Sequence, residues 1–273
     1  MADRPRPTPP ADDTPHPVPY RGGGFAPRRM PLVTGLFFAL LFGLWALGSA
    51  RGWIGPLTLP PPGEVLAALA RLIETGDLWR HLSASLMRLG LGWALGAALG
   101  VAVGLMVGLF SLARATGLPL VTALFPIPKI ALLPLFIIWF GIGEPSKVAT
   151  IAFGVFFPTV INTAGGVAGV PRSLISMGQS FGLSPWRIAT RIVLPGALPA
   201  ILTGFRVSAS IGIILLVAAE MIGAEYGLGA LVLNAGNLMR LDLLIAGVVV
   251  LSALGLVVAF LLGLVEKRLL RWR

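Results

Sequence analysis

A chain of 273 residues that is 56% hydrophobic and 12% charged, with mean hydropathy +0.89, lies outside the range of water-soluble domains and reads as an integral membrane protein. Its net charge of +10 invites nucleic acid as a partner, but the cations form no patch interleaved with stacking aromatics, so no nucleic acid is expected. The absence of cysteine excludes disulfides, thiolate catalysis and Cys-based metal sites, and the two histidines, His16 and His81, stand in no ligand cluster, so no metal is expected.

Residues 1–30 are rich in Pro, Gly and Arg and too poor in apolar side chains to offset the entropy of ordering, which predicts a disordered basic cytoplasmic tail. Residues 31–270 then form one transmembrane domain. Arg21, Arg28 and Arg29 precede the apolar run Leu32–Ala50, long enough to cross about 30 Å of hydrocarbon, and hold the N-terminus inside. This run reads as a retained anchor; its ending Gly48-Ser49-Ala50 leaves a cleaved leader as the alternative. Between Arg51 and Ser83, outside, Glu64, Arg71 and Glu74 share one helical face and Val65, Leu66, Leu69, Leu72 and Ile73 the other, an amphipathic helix at the outer interface closed by Gly76.

The second span, Leu86–Leu109, carries Gly92, Gly96, Gly100, Gly104 and Gly108 at every fourth position, a groove that admits another helix backbone. A short inner loop with Arg114 leads to a third span, Pro119–Phe140, broken by Pro126, Pro128 and Pro134. Carbonyls freed by proline need partners in lipid, so this span should be buried in protein or line a cavity. Glu144-Pro145-Ser146-Lys147 is predicted to turn the chain outside before a fourth span, Val148–Val170, with Thr159, Asn162 and Thr163 behind Pro158. The fifth span, Ala200–Ile222, holds Arg206 and Glu220, and the sixth runs Leu243–Val265. Of the 21 Lys and Arg, thirteen fall inside and six outside, with Lys129 and Arg206 in spans, an asymmetry that sets both termini in the cytoplasm.

Lys129 and Arg206 need compensation within the membrane, as lining of an anion path or by pairing with freed carbonyls, Glu220 or headgroups. Thr159, Asn162 and Glu220 are the polar residues that could join them along such a path; backbone bonding or an interfacial role is the alternative for each.

The longest non-spanning inner segment is Pro171–Pro199, with Arg172, Arg187 and Arg191 among hydroxyls and amides. Pro171 opens a helix over 171–181, Gly182 stops it in the left-handed conformation, and Ser184 caps a second helix over 184–194 with Pro185 at its first position. On that helix Trp186, Ala189 and Val193 should share one face, with Arg187, Thr190 and Arg191 on the other.

Gly182, nine residues, Ile192, one residue and Leu194-Pro195 resemble the EAA loop of permease subunits of bacterial ATP-binding-cassette importers; Ser176, Met177 and Gly178 stand at the Glu-Ala-Ala positions. With the runs Pro126–Gly143 and Ala219–Gly229, the chain from Leu57 to Glu266 resembles the nitrate/sulfonate/taurine branch of that family. The resemblance implies an all-α fold of about six transmembrane helices with a cytoplasmic coupling helix pair in the bacterial inner membrane. The implied partners are cytoplasmic nucleotide-binding ATPase subunits, an extracytoplasmic substrate-binding protein, membrane lipid and a second permease subunit, as a homodimer. It also assigns contact with the ATPase to Ser176, Gly178, Gly182, Leu183, Ser184, Trp186, Arg187, Arg191, Ile192, Leu194 and Pro195. No GxxxxGK[ST] loop and no nucleophile–base pair occur, so the chain reads as a transport component rather than an enzyme, with no cofactor of its own and ATP and Mg on the partner. A secondary transporter or channel driven by an ion gradient is the alternative; it has few carboxylates in the spans and no obvious inverted repeat to support it.

Overall fold

The computed structural model describes residues 30–55 and 58–271. The tail expected over 1–30 lies outside them but for Met30. The described residues form eleven α-helices and no strand. The first helix, α1 (Pro31–Ala50), is apolar and exposed around almost its whole circumference, as suits a helix solvated by lipid.

Residues 48–271 belong to a second compact unit. In it α2 (Pro62–Glu74) buries Val65, Ala68 and Leu72, with Pro62 at a first-turn position where its missing N–H costs no bond. Leu66 and Ile73, expected on the same apolar face, are exposed, so the buried stripe is narrower than the composition of the helix suggests. Gly76, at φ +78, turns the chain into α3 (Asp77–Leu109), which begins nine residues ahead of the expected span because the segment carrying Arg80, His81 and Ser83 is already helical.

The chain returns through α4 (Ser111–Leu124), a 3₁₀ turn (Lys129–Leu132) and α5 (Leu133–Phe140), bent by 91°. Pro126 and Pro128 lack the N–H groups that would carry α4 onward, so the bend falls at these residues. The expected outside turn Glu144–Lys147 is instead the first turn of α6 (Glu144–Ala168), where Ser146 and Lys147 are buried. Proline at a first-turn position starts a helix as readily as it makes a turn. After α7 (Arg172–Ser180) and the short α8 (Pro185–Ile188), a π turn (Ala189–Val193) runs without interruption into α9 (Leu194–Met221). Then come α10 (Leu228–Asn237), absent from the sequence-based expectation, and α11 (Leu241–Leu269). By length and hydropathy five helices can cross a membrane, and the bent pair makes a sixth.

The core lies where α3, α6 and α9 meet. A Cβ at Gly92, Gly96, Gly100, Gly104 or Gly108 would come within 2.7 Å or less of atoms of α6, which identifies α6 of the same chain as the helix that fills the glycine groove. Gly154 and Gly166 let α9 approach the opposite side of α6. Leu89, Ile151, Val155, Leu215 and Leu216 fill the space between, closed by Leu228 of α10 and Leu254 of α11.

Candidate functional site

At one end of the bundle α7, Gly182 and α8 form a hairpin. The amide of Gly182 donates to the carbonyl of Gln179 (2.9 Å) and that of Leu183 to Gly178 (3.0 Å), which satisfies carbonyls the end of α7 would otherwise leave open. Gly182 sits at φ +70, and a Cβ there would stand in open space with no atom within 4 Å, so its backbone conformation, not crowding, demands glycine. Ser184 caps α8 by accepting the Arg187 amide (3.4 Å), and Pro185 occupies the first turn. The hairpin is anchored by Ile188 and Val193, buried with Val167, Val170, Ala197 and Ile201 and flanked by Ile175, Leu183 and Ile192. Gly178 is buried where α7 meets the π turn; a Cβ there would lie 2.7 Å from Cδ1 of Ile192, the flexible end of that side chain.

Two expectations are corrected. The second helix does not stop at 194, nor does the fifth span begin at 200: one rod runs from Pro185 to Met221. Pro195 removes the bond to the carbonyl of Arg191, and the wide i→i+5 turn immediately before it absorbs the disruption without ending the helix. Trp186 and Val193 also do not share a face. The π turn shifts the phase, leaving Val193 buried and Trp186 75% exposed; Phe181, at the end of α7, is 78% exposed. Arg187 and Arg191 are exposed, as are Ser176, Ser184 and Leu194, while Leu183, Ile192 and Pro195 are half-buried.

At the opposite end lies an ion cluster that local sequence patterns do not show. Arg88 of α3 is 4% exposed. Its guanidinium donates through Nε and Nη2 to both carboxylate oxygens of Glu144 (each 2.6 Å), and through Nη1 to Oε1 of Glu220 (2.8 Å) and the carbonyl of Tyr226 (2.6 Å). Glu220, with no exposed side-chain surface, also accepts Oγ of Ser85 (2.7 Å) and the amide of Gly229 (2.9 Å). Ser85 Oγ accepts the Leu228 amide (2.9 Å), and Nδ1 of His81 faces Gly227. A Cβ on Gly227, at φ +147, would meet Cδ of Glu220 at 2.5 Å, so only glycine closes the cluster. Arg88, tallied with the six outer cations although it falls two residues inside the expected second span, is a buried hub tying α3 to α6, α9 and the 222–229 segment. The signal that could reveal it is an arginine just inside an apolar span in a chain with a glutamate inside another.

The other residues expected along a path, Lys129, Thr159, Asn162 and Arg206, form no hydrogen bond with one another among the described residues. Lys129 donates to the carbonyls of Leu124 (3.2 Å) and Phe125, the open end of α4, and stands over the rings of Phe125 and Phe157. Arg206 is exposed on α9 and pairs with Glu266 of α11. Thr159 Oγ1 donates to the Val155 carbonyl (2.8 Å) and Asn162 Nδ2 to that of Pro158 (2.8 Å). Thr159 packs under Gly100, and Asn162 against Gly204.

These features define a multi-span helical membrane protein with a short helical hairpin at one end of the bundle and no metal-ligating cluster among the described residues. The family profile described as "Binding-protein-dependent transport system inner membrane component" matches residues 96–271, and the chain belongs to that family, a permease subunit of ATP-binding-cassette transport systems. It is 36% identical over 250 residues to the taurine transport system permease protein TauC of Escherichia coli K12, covering 90% of each chain. It is 38% identical over 229 residues to SsuC of the same organism, named for aliphatic sulfonates transport, covering 84% of this chain and 87% of the relative. Its fold matches an inward-facing form of the MetNI methionine ABC transporter with a TM-score of 0.63 at 19% identity, covering 72% of this chain and 97% of the other. An ion-gradient-driven transporter is not favoured.

Proposed function

We propose that the chain moves a small sulfonate, taurine or an alkanesulfonate, as a pair of identical subunits whose work comes from ATP hydrolysed on separate cytoplasmic subunits docked to the hairpin. A soluble binding protein delivers the solute at the opposite end. The observation that carries this reading is the hairpin itself: a helix, a left-handed glycine and a capped helix continuous with a span, presenting exposed Met177, Phe181 and Trp186. The names of the relatives support the solute class.

Gly182→Val tests the docking assignment. Holding a β-branched residue at φ +70 costs on the order of 1–2 kcal/mol and re-aims α8. The variant should insert at normal abundance yet lose most taurine uptake and most ATPase subunit in a pull-down, each normalised to inserted protein; unchanged pull-down and uptake would overturn the reading. Orientation follows from the charge bias: reporters fused after residue 273 and inserted beside Arg187 should both read cytoplasm, and a periplasmic signal at either one defeats the assignment.

A further inference from the structure

Behind the hairpin, on the side facing the spans, lies a groove of about 400 Å³ between the end of α3, the start of α4, the end of α6, α7, α8 and the π turn. Arg114, Arg172 and Gln179 line it together with Leu109, Val167 and Ile175. No carboxylate lines it, and neither arginine forms an ion pair among the described residues. At 100° per residue, Arg172, Ile175 and Gln179 lie on one side of α7, and Leu174, Met177 and Phe181 lie on the reverse side. The hairpin therefore has two faces. The exposed apolar face with Phe181 and Trp186 suits a protein, whereas the groove joins two cations to an apolar floor at the level where the spans α3 and α6 end.

The geometry points to a site for an anionic phospholipid, with its phosphate between Arg114 and Arg172 and its acyl chain against Leu109 and Val167. Phe110 and Leu112, where α3 passes into α4, are exposed apolar residues at the same end of the spans, a surface suited to lipid rather than to a water-soluble partner. An unpaired arginine at a membrane boundary is satisfied by a phosphate without the desolvation that a buried ion pair requires. The lipid would thus wedge the hairpin against the spans from behind while its other face stays free.

The test uses full-length protein in nanodiscs of equal phosphatidylglycerol and phosphatidylcholine, with the lipid retained after detergent extraction counted by native mass spectrometry. The wild type should retain phosphatidylglycerol selectively. Arg114→Gln with Arg172→Gln should weaken that retention about thirty-fold, about fivefold for each arginine, whereas the Lys pair should stay within about threefold of wild type. Trp186→Ala should leave lipid retention unchanged. No preference in the wild type, equal retention in the Gln pair, or equal loss in the Gln and Lys pairs would each overturn the site. If the Gln pair keeps its lipid but loses the ATPase in a pull-down, the groove belongs to the protein interface instead. The lipid readout needs neither solute nor ATPase, so it stands or falls separately from the transport reading.

Discussion

Gly96→Val should be the most damaging substitution in the glycine ladder, because a Cβ there would lie 2.3 Å from the carbonyl oxygen of Ala152, and a backbone atom cannot swing aside as a side chain can. The two helices must separate along their shared seam, which also opens the approaches at Gly92 and Gly100. Overpacking of this kind costs about 3 kcal/mol, or roughly a hundredfold in the ratio of folded to unfolded protein. The control lies on the same helix: Gly90 has no atom within 4 Å of its Cβ position, and Gly90→Val removes a poor helix former, so it should be neutral or slightly stabilising. Folded protein recovered by size-exclusion chromatography from equal membrane fractions reads both. Equal yields of the two variants would show that the seam yields more easily than its distances imply.

Arg88→Met should cost at least as much. It leaves the Glu220 carboxylate fully buried with only Ser85 and the Gly229 amide as donors, whereas Glu144, 46% exposed, can turn to water. Stranding a buried charge costs about 3–5 kcal/mol, and in a chain of this size that lowers the melting temperature by roughly 10 °C. Removing both charges, Arg88→Met with Glu220→Leu, should recover a substantial part of the loss, since a hydrophobic replacement of a buried pair is often tolerated. Arg88→Lys should fall between, because one ammonium cannot span two carboxylates and a carbonyl as the guanidinium fork does. Thermal unfolding in detergent separates the three. A single variant as stable as wild type would show that the cluster contributes little.

The features that repeat or punctuate locally were legible in the sequence. Glycine at every fourth position marks a helix seam whatever its partner, and Gly182 with Ser184-Pro185 marks a stop followed by a start. The partner of the seam was not legible, since nothing local distinguishes α6 from a helix of another subunit. Prolines misled in two places, at Pro145 and Pro195. Both sit where a helix can keep them, the first in an opening turn and the second just after a π turn, and such accommodation depends on carbonyls several residues away. Arg88, Glu144 and Glu220 belong to three different helices, so only the packing of α3, α6 and α9 brings their charges together.

The unbroken rod from Pro185 to Met221 has a kinetic consequence. Its 37 residues extend about 55 Å, with the hairpin at one end and Glu220, fastened to Arg88, at the other. Had α8 been a separate helix hinged at Pro199, the hairpin could move first and the far end follow, giving two relaxation times. A single stiff rod removes that delay: fluorophores placed beside Trp186 and beside Met221 should report one shared relaxation after ATP is added. Any lag between them would then measure the give at the π turn and at Pro199, which lacks the N–H that would bond the carbonyl of Pro195.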